Sequence, residues 1–202
     1  NYLEASGKIL DGGDYFPPAS PDPGRTTALV VTSTPSSGGS TRARVLFQTL
    51  IAGARKSIYI TTPYFLPDRS MTDELVHAVE RGVRVNVIVP GKHDDHALTR
   101  SSGRSAYGRL LKAGATVYEY EPSMIHAKIA VFDGAWSVVG STNLDNRSFG
   151  INDEVNVAVL DPEIASRLTR DFEQDAGESK QVTLAEWKAR PLSERLMEMV
   201  GW

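Results

Sequence analysis

One pattern in the second half of the sequence, H-x-K-x4-D-x6-G-S-x-N, contains the residue types of a phosphate-ester site. Its members are His126, Lys128, Asp133, Gly140, Ser141 and Asn143. An imidazole attacks phosphorus or protonates a leaving alkoxide, because its unperturbed pKa lies near neutrality. A neighbouring ammonium supplies positive charge where negative charge builds on the non-bridging oxygens. The amide and hydroxyl of the last two residues add hydrogen-bond donors, and the glycine permits close backbone approach.

A β-hairpin is expected to position these side chains. Apolar residues alternate between Ile125 and Val131, which places His126 and Lys128 together on the other face of one strand. The dipeptide at 133–134 predicts a turn, and residues 135–139 then form the returning strand. Taken alone, the H-x-K pair is more often an exposed strand face than a site, so the prediction rests on the whole pattern at its fixed spacing.

Two carboxylates accompany the pattern in different roles. Glu154, on the next predicted strand, is the candidate that orients the imidazole of His126. Asp133 falls at the hairpin turn, away from the expected phosphate, and we expect it to be structural.

These residues resemble the HKD motif of the phospholipase D superfamily, and several flanking stretches are similar to those of bacterial cardiolipin synthases. The flanking stretches are residues 61–68 (TTPYFLPD), 81–83 (RGV), 118–120 (YEY) and 143–149 (NLDNRSF). The resemblance covers most of the chain. Members of that branch carry two HKD motifs, whereas this sequence contains one. The resemblance therefore implies the C-terminal half of a cardiolipin-synthase-like enzyme.

The implied reaction is phosphatidyl transfer through a phosphohistidine, without a metal or another cofactor. In the second of two motifs, His126 would serve as the general acid and base. Lys128 and Asn143 would bind the phosphate, Ser141 would support that contact, and Glu154 would hold His126. Asp133 completes the HKD pattern among the candidate catalytic residues.

Three further residues are candidates for substrate binding. The resemblance places the segment of Tyr64 and Phe65 near the substrate entrance, although both are equally compatible with core aromatics. Arg104, on a predicted helix, has the charge to meet an anionic lipid headgroup, but a solvated helix face explains it equally well.

The loop 91–96 (GKHDDH) contains histidine and aspartate residues of the kind that bind zinc. We interpret it instead as a polar loop at the carboxyl end of a strand, where sites of α/β proteins gather. The implied reaction needs no metal, which favours that interpretation.

Length and composition are those of an ordinary globular domain. The chain has 202 residues, 41% hydrophobic residues and a formal net charge of −3, so no general nucleic-acid footprint is evident. Cysteine is absent, which excludes disulfides and thiolate sites. Residues 1–25 are rich in Gly, Pro and Asp and are expected to form a linker from a missing N-terminal half. Residues 26–202 are expected to form the phospholipase D-like domain.

Alternating strands and helices predict an α/β fold, an α-β-α sandwich around a mixed, largely parallel central sheet. Strands are expected at 27–33, 57–62, 83–89, 116–120 and 154–160, in addition to the hairpin. Helices are expected at 41–56, 70–81, 97–112 and 162–176, with two short helices starting at Thr183 and Pro191.

The expected partners are a phospholipid and either the missing N-terminal HKD half or a second copy of the chain. No apolar run is long enough to cross a bilayer and Asn1 is not an initiator methionine, so we expect a soluble piece of a protein that associates with the bacterial membrane through its missing N-terminal region. No nucleic-acid partner is expected. Two alternatives stay open: a single-motif endonuclease that completes its site by homodimerisation, and a half-site without catalytic activity.

Overall fold

The computed structural model describes residues 6–18, 24–35, 41–92 and 97–191, with the side chains of 97–102 excepted. The strands are β1 (Thr27–Ser33), β2 (Ser57–Thr61), β3 (Phe65–Leu66), β4 (Arg84–Pro90), β5 (Thr116–Tyr120), β6 (Ile129–Phe132), β7 (Trp136–Gly140), β8 (Leu144–Asp145), β9 (Glu154–Leu160) and β10 (Ser179–Val182). The helices are α1 (Arg42–Gly53), α2 (Arg69–Glu80), α3 (Ala97–Ala113), α4 (Asn146–Gly150), α5 (Pro162–Gly177) and α6 (Leu184–Lys188). Within the described residues, no helix is both long enough and apolar enough to cross a bilayer.

Eight of the strands form one twisted sheet in the order β1-β9-β7-β6-β2-β4-β5-β10, and β3 pairs with β8 beside it. The α/β class and the mixed sheet agree with the prediction. The sheet is not largely parallel, as was predicted. Among the described strands of the large sheet, only the β2–β4 and β4–β5 pairings are parallel. The remaining pairings are antiparallel. A hairpin and its flanking strands supply these antiparallel neighbours, which alternation of strands and helices alone does not reveal.

Helices cover both faces of the sheet. Helices α1, α2 and α3 pack on one face and bury the main core, which includes Phe47, Ile51, Ile58, Ile60, Leu75, Val87, Leu110 and Val117. Helix α5 lies on the other face, where Phe172 makes edge-on ring contacts with Tyr59 and Tyr118 at centroid distances of 5.0 and 6.3 Å. This arrangement is the expected α-β-α sandwich.

Part of the second face stays exposed, on the side of β1, β9 and β7. Val30, Val157 and Val139 are directly paired across these three strands, and Val155 lies on the same face two residues from Val157. Their exposed fractions run from 36% to 63%. We call these four residues the open valine face. Neighbouring exposed apolar side chains on adjacent strands make this face a candidate interaction surface.

Several predicted boundaries agree with the structure, whereas α1 ends at Gly53 instead of 56 and β4 is shifted by one residue to Arg84–Pro90. Strands β1, β5 and β9 have the predicted bounds, and Thr41 and Thr183 cap α1 and α6. Helix α2 begins at Arg69 instead of after Ser70, because the carboxylate of Asp68 accepts the Met71 N–H at 2.9 Å and so caps the helix two residues earlier.

The extent of the motif strand also differs, as described with the site, and some elements were not predicted. These are the β3–β8 pair, α4 and β10. The short helix expected from Pro191 lies outside the described residues.

Candidate active site

The motif residues gather at one edge of the large sheet. The carboxyl end of β2 meets the start of β6, with Thr61 paired to Ile129, and the N–H of Gly140 donates to the Lys128 carbonyl at 3.2 Å. The start of β9 lies beside the end of β7, since Gly140 is paired with Asn156. Strand ends therefore bring residues 126–128, 140–143 and 154 together.

His126 and Lys128 lie just before β6 and not inside it, which corrects the prediction that both sit on a strand. Strand β2, which would have to pair with them, ends at Thr61, and Pro63 has no N–H to continue the ladder. The side chains still meet: Lys128 Nζ lies 3.3 Å from His126 Nδ1 and 3.2 Å from the His126 carbonyl oxygen. An ammonium only donates hydrogen bonds, so Nδ1 accepts, and the proton of a neutral imidazole is then on Nε2.

The environment of Lys128 combines burial with nearby negative charge. Burial lowers the pKa of the Lys128 ammonium below its ordinary value, while the carboxylates of Glu154 and Asp145 act in the opposite direction. Lys128 therefore lies close enough to both carboxylates to sense their charge.

Glu154 is buried, and its hydrogen bonds go to polar side chains near it. Ser141 Oγ donates to Glu154 Oε2, and Asn152 Nδ2 donates to Glu154 Oε1 at 3.4 Å. The Val155 N–H donates to the same Ser141 hydroxyl at 3.0 Å. Among the described residues, no hydrogen bond joins Glu154 to His126. The expected contact, in which this carboxylate orients the imidazole, is therefore not present in this structure.

Asn143 contacts a serine hydroxyl of α4. Its backbone N–H and its Nδ2 lie 3.1 and 3.3 Å from Ser148 Oγ, and the Ser148 N–H donates to Asp145 Oδ1 at 2.7 Å. All three residues are buried. Burial raises the pKa of Asp145, as does the charge of Glu154, although hydrogen bonds from Ser148 and Arg147 oppose the shift.

Asp145 and Ser148 were not assigned a role from the sequence. Both lie in the NLDNRSF stretch, and an aspartate is a favoured helix N-cap residue. That preference could have predicted α4, but not its contact with Asn143.

Asp133 lies at the hairpin turn, away from the other motif residues. Its carboxylate accepts hydrogen bonds from the backbone N–H groups of Arg55, Lys56 and Ser57 at 2.7 to 3.1 Å. Asp133 and Gly134 both have positive φ, of 57° and 64°, as a tight hairpin turn requires. The carboxylate thus ties the hairpin to the start of β2.

Gly140 is required by a close approach of protein backbone. A Cβ at this position would overlap the Val155 carbonyl and the side chain of Asn156. The close approach anticipated from the sequence is therefore that of β9.

The two aromatic candidates for substrate binding lie in different environments. The ring of Tyr64 stands edge-on to His126, with centroids 6.2 Å apart, and is partly exposed beside the site. Phe65 is buried in the core and contacts Tyr107, so its side chain does not line an opening in this structure.

Arg104 is engaged by the protein itself. Its Nε lies 3.1 Å from the buried Glu119 Oε1, and its carbonyl accepts the Trp187 indole N–H at 2.7 Å. The guanidinium charge is already matched by a carboxylate, so these contacts do not favour headgroup binding. His93 to His96, the loop considered for a metal, lie outside the described residues. Elsewhere in the described chain, no group of three His, Cys, Asp or Glu is arranged to hold a metal ion.

Comparison with known proteins defines the class to which this fold and site belong. The family model described as "Cardiolipin synthase, PLD-like domain" matches residues 47–176. The chain belongs to this family, in agreement with the resemblance seen in the motif.

Curated relatives are similar over nearly the whole chain. The major cardiolipin synthase ClsA of Bacillus subtilis (strain 168) is 41% identical over 188 residues, which is 93% of this chain and 38% of that protein. Cardiolipin synthase 1 of Staphylococcus epidermidis (strain ATCC 12228 / FDA PCI 1200) is 36% identical over 184 residues, covering 91% of this chain and 37% of the relative. The chain therefore spans less than two fifths of the length of these relatives.

Solved structures agree on the fold. A phosphatidylserine synthase of Haemophilus influenzae Rd KW20 superposes with a TM-score of 0.69 at 17% identity, covering 87% of this chain and 44% of that one. Nuc of Salmonella typhimurium, a phospholipase D family member, gives a TM-score of 0.66 at 20% identity, covering 79% of this chain and 99% of that one. At these identities the likeness shows the phospholipase D-like fold.

Proposed function

We propose that this chain is one half of a phosphatidyltransferase that moves a phosphatidyl group between phospholipids, with phosphatidylglycerol as donor. The observation that carries the proposal is the contact between the Lys128 ammonium and His126 Nδ1 at the sheet edge where Ser141 and Asn143 gather. A proton donor beside fixed positive charge and hydrogen-bond donors suits the transition state of a phosphodiester. The similarity to cardiolipin synthases supports the choice of phospholipid substrates.

The proposed reaction has two steps. In the first, a histidine of a second HKD half attacks phosphorus, and the P–O bond to the leaving glycerol breaks. His126 Nε2 gives its proton to that oxygen while Lys128 passes a proton to Nδ1, so the imidazole stays neutral. In the second, the acceptor hydroxyl gives its proton to Nε2 and attacks phosphorus, the P–N bond breaks, and Nδ1 returns its proton to Lys128. Asn143, and Lys128 while it is protonated, stabilise the negative charge on the non-bridging oxygens.

The tautomer of His126 supports its role as the proton donor. With Nδ1 accepting from Lys128, a neutral imidazole has its proton on Nε2, and it gives that proton up as Nδ1 takes one from Lys128. A nucleophilic Nε2 would instead need a free lone pair and a proton on Nδ1. The nucleophile of this proposal is therefore the histidine of the second half.

The open valine face supports the presence of that second half. Val155 follows Glu154 directly, and Val139 precedes Gly140, so the exposed apolar surface begins within two residues of the site. We infer that a second phospholipase D-like half covers this face, supplied by the remainder of a longer protein or by a second copy. Because the substrates are membrane lipids, the whole protein would act at the bacterial cell membrane.

A conversion assay tests the proposal. Phosphatidylglycerol in mixed micelles is incubated with the chain alone and with the chain mixed with an N-terminal HKD half from a cardiolipin synthase relative. His126→Ala is compared with His77→Ala, which removes an exposed histidine on α2. The expected result is cardiolipin formation that His126→Ala abolishes and His77→Ala leaves unchanged.

Different failures have different meanings. Conversion that survives His126→Ala contradicts the assigned site. Absence of conversion together with DNA cleavage at low salt by a homodimer would replace this proposal with the endonuclease. Absence of both activities, in a chain that still binds the second half, would leave a half-site without catalytic activity.

A further inference from the structure

Asn156 carries a carboxamide that is buried in the middle of β9. The residue is 1% exposed and lies on the buried face of the strand, with Glu154 two residues before it and Ala158 two residues after it. Val155 and Val157 alternate with them on the exposed face. A buried amide is costly unless it is hydrogen-bonded, so the partner of Asn156 indicates what the residue contributes.

The partner of Asn156 is Thr142, the x residue of the G-S-x-N sequence in the motif. Asn156 Nδ2 donates to Thr142 Oγ1 at 2.8 Å, and Thr142 is 2% exposed. Thr142 lies between Ser141 and Asn143, which the proposed function assigns to the phosphate. The hydrogen bond therefore joins the middle of this loop to a strand of the large sheet.

A second contact of the same kind holds the preceding loop residue. Glu154, on the same face of β9 as Asn156, accepts the hydrogen bond of the Ser141 hydroxyl. Between these two side chains, the Ser141 N–H donates to the Val155 carbonyl at 2.9 Å. Two buried polar side chains of β9, two residues apart, thus hold two successive hydroxyls of the loop.

Gly140 provides the space for the Asn156 carboxamide, because a Cβ on this glycine would overlap the asparagine side chain. The Gly140 N–H also donates to the Lys128 carbonyl at 3.2 Å. The carboxamide therefore packs against the backbone that connects the loop with Lys128. Its position bears on both parts of the motif, the H-x-K segment and the G-S-x-N loop.

We propose that Asn156 is a positioning residue whose carboxamide, through Thr142, fixes the loop 140–143 beside Lys128 for phosphodiester binding. The inference rests on the proposed function, in which this loop and Lys128 bind the phosphate. It gives a reason for an amide, instead of an apolar side chain, at a core-facing position of β9. Asn156 acts through Thr142 and does not itself touch the ligand.

Nuclear magnetic resonance on the full chain tests the inference with dimethyl phosphate, the smallest phosphodiester, as the probe. Binding is followed by the signals of His126. Thr142→Val keeps the shape of the side chain and removes the acceptor, and Asn156→Leu removes the donor at similar volume. Each should raise the dissociation constant about tenfold, the equivalent of one lost hydrogen bond. Thr142→Ser, which keeps the hydroxyl, should bind with the affinity of wild type.

Thr72→Val is the matched control. It also removes a buried threonine hydroxyl, one that donates to the Asp68 carbonyl at 2.8 Å on α2. The variant should unfold at lower denaturant concentration than wild type, as Thr142→Val should, but should bind dimethyl phosphate with unchanged affinity.

The double variant Asn156→Leu with Thr142→Val separates positioning from stability. Replacing both hydrogen-bonding partners by apolar groups leaves no unsatisfied atom of the pair, so the double variant should be nearly as stable as wild type. Its affinity should stay as low as that of the single variants, because the directional contact that fixed the loop is still missing. The double variant also covers the case in which a single variant does not fold.

The possible failures are distinguishable. Wild-type affinity in folded Asn156→Leu or Thr142→Val overturns the positioning role, and so does affinity that returns in the double variant. An equal loss of affinity in Thr72→Val also overturns it, because binding would then follow stability alone. In each of these cases the His126 signals of wild type still respond, and the phosphodiester site stays in place. No response of those signals in wild type overturns the proposed function and this inference with it.

Discussion

The Lys128 ammonium donates to His126 Nδ1 at a distance of 3.3 Å. The two residues are separated by one position in a segment that precedes β6 and belongs to no strand. With the ammonium as the donor, a neutral imidazole has its proton on Nε2, and positive charge lies beside the ring. Burial and the carboxylates of Glu154 and Asp145 act on the same ammonium in opposite directions. The ionisation of Lys128 should therefore govern binding of an anion.

The first prediction concerns the pH dependence of phosphodiester binding. Burial lowers the pKa of Lys128, so the ammonium is lost at a lower pH than in an ordinary lysine. Affinity for dimethyl phosphate, measured by resonance titration, should fall as the pH rises through this pKa. Lys128→Arg should remove the alkaline decline, because a guanidinium stays charged, whereas Lys112→Arg on α3 should leave it unchanged. A decline that persists in Lys128→Arg would assign it to another group.

The second prediction concerns Asp145 and stability. Burial, with the charge of Glu154, raises the folded-state pKa of Asp145 above its unfolded value, so the folded chain binds this proton more tightly. The stabilisation is full at acid pH and is lost as the pH rises through the folded-state pKa. Asp145→Asn keeps a residue that caps helices and removes the ionisation. The variant should unfold at higher denaturant concentration than wild type at neutral pH, with a difference that shrinks on acidification. A difference independent of pH would contradict this.

The third prediction separates Asp133 from the chemistry. Burial alone would raise the pKa of Asp133, but the N–H groups of Ser57, Lys56 and Arg55 outweigh it and lower the pKa. The resulting stabilisation is present at neutral pH and is lost as the pH falls through the folded-state pKa. Asp133→Asn, which tolerates the positive φ, should cost about 1–2 kcal/mol in chemical denaturation and leave dimethyl phosphate affinity unchanged. Weaker phosphodiester binding by the folded variant would show that Asp133 acts in the site.

The sequence predicted the local structure around the motif better than the contacts of its side chains. The motif and the hairpin turn follow from local spacing, and β5 and β9 show clear alternation, so their bounds were accurate. The strand predicted around His126 was too long, because the length of β6 depends on where its partner β2 ends, and β2 is distant in sequence. The contact of Ser148 with Asn143 depends on a five-residue helix whose residues have no helical periodicity of their own.

Charged and aromatic candidates were the least predictable. Arg104 has a type and spacing that suit a headgroup, but its partner Glu119 comes from a strand that only the folded chain places beside it. Tyr64 and Phe65 are adjacent in sequence, and the direction of the backbone sends one to the site and the other to the core.

The fourth prediction concerns the open valine face. Val157→Glu should abolish association with an N-terminal HKD half, or with a second copy, without unfolding the chain, because Val157 is already partly exposed. Val45→Glu, at an exposed valine on α1 outside this face, is the matched control. Sedimentation velocity on the mixtures measures the association. Equal association by both variants would place the second half elsewhere.

The proposed role of His126 as proton donor to the leaving alkoxide can be tested with a substrate that has a better leaving group. In the preparation that converts phosphatidylglycerol, His126→Ala is assayed with phosphatidylglycerol and with phosphatidyl-p-nitrophenol, whose oxygen leaves without a proton. A loss of at least about 100-fold is expected with phosphatidylglycerol, but only a small loss in the rate of the initial burst of p-nitrophenol, which reports the first step alone. An equally large loss with both substrates would show instead that His126 is the nucleophile.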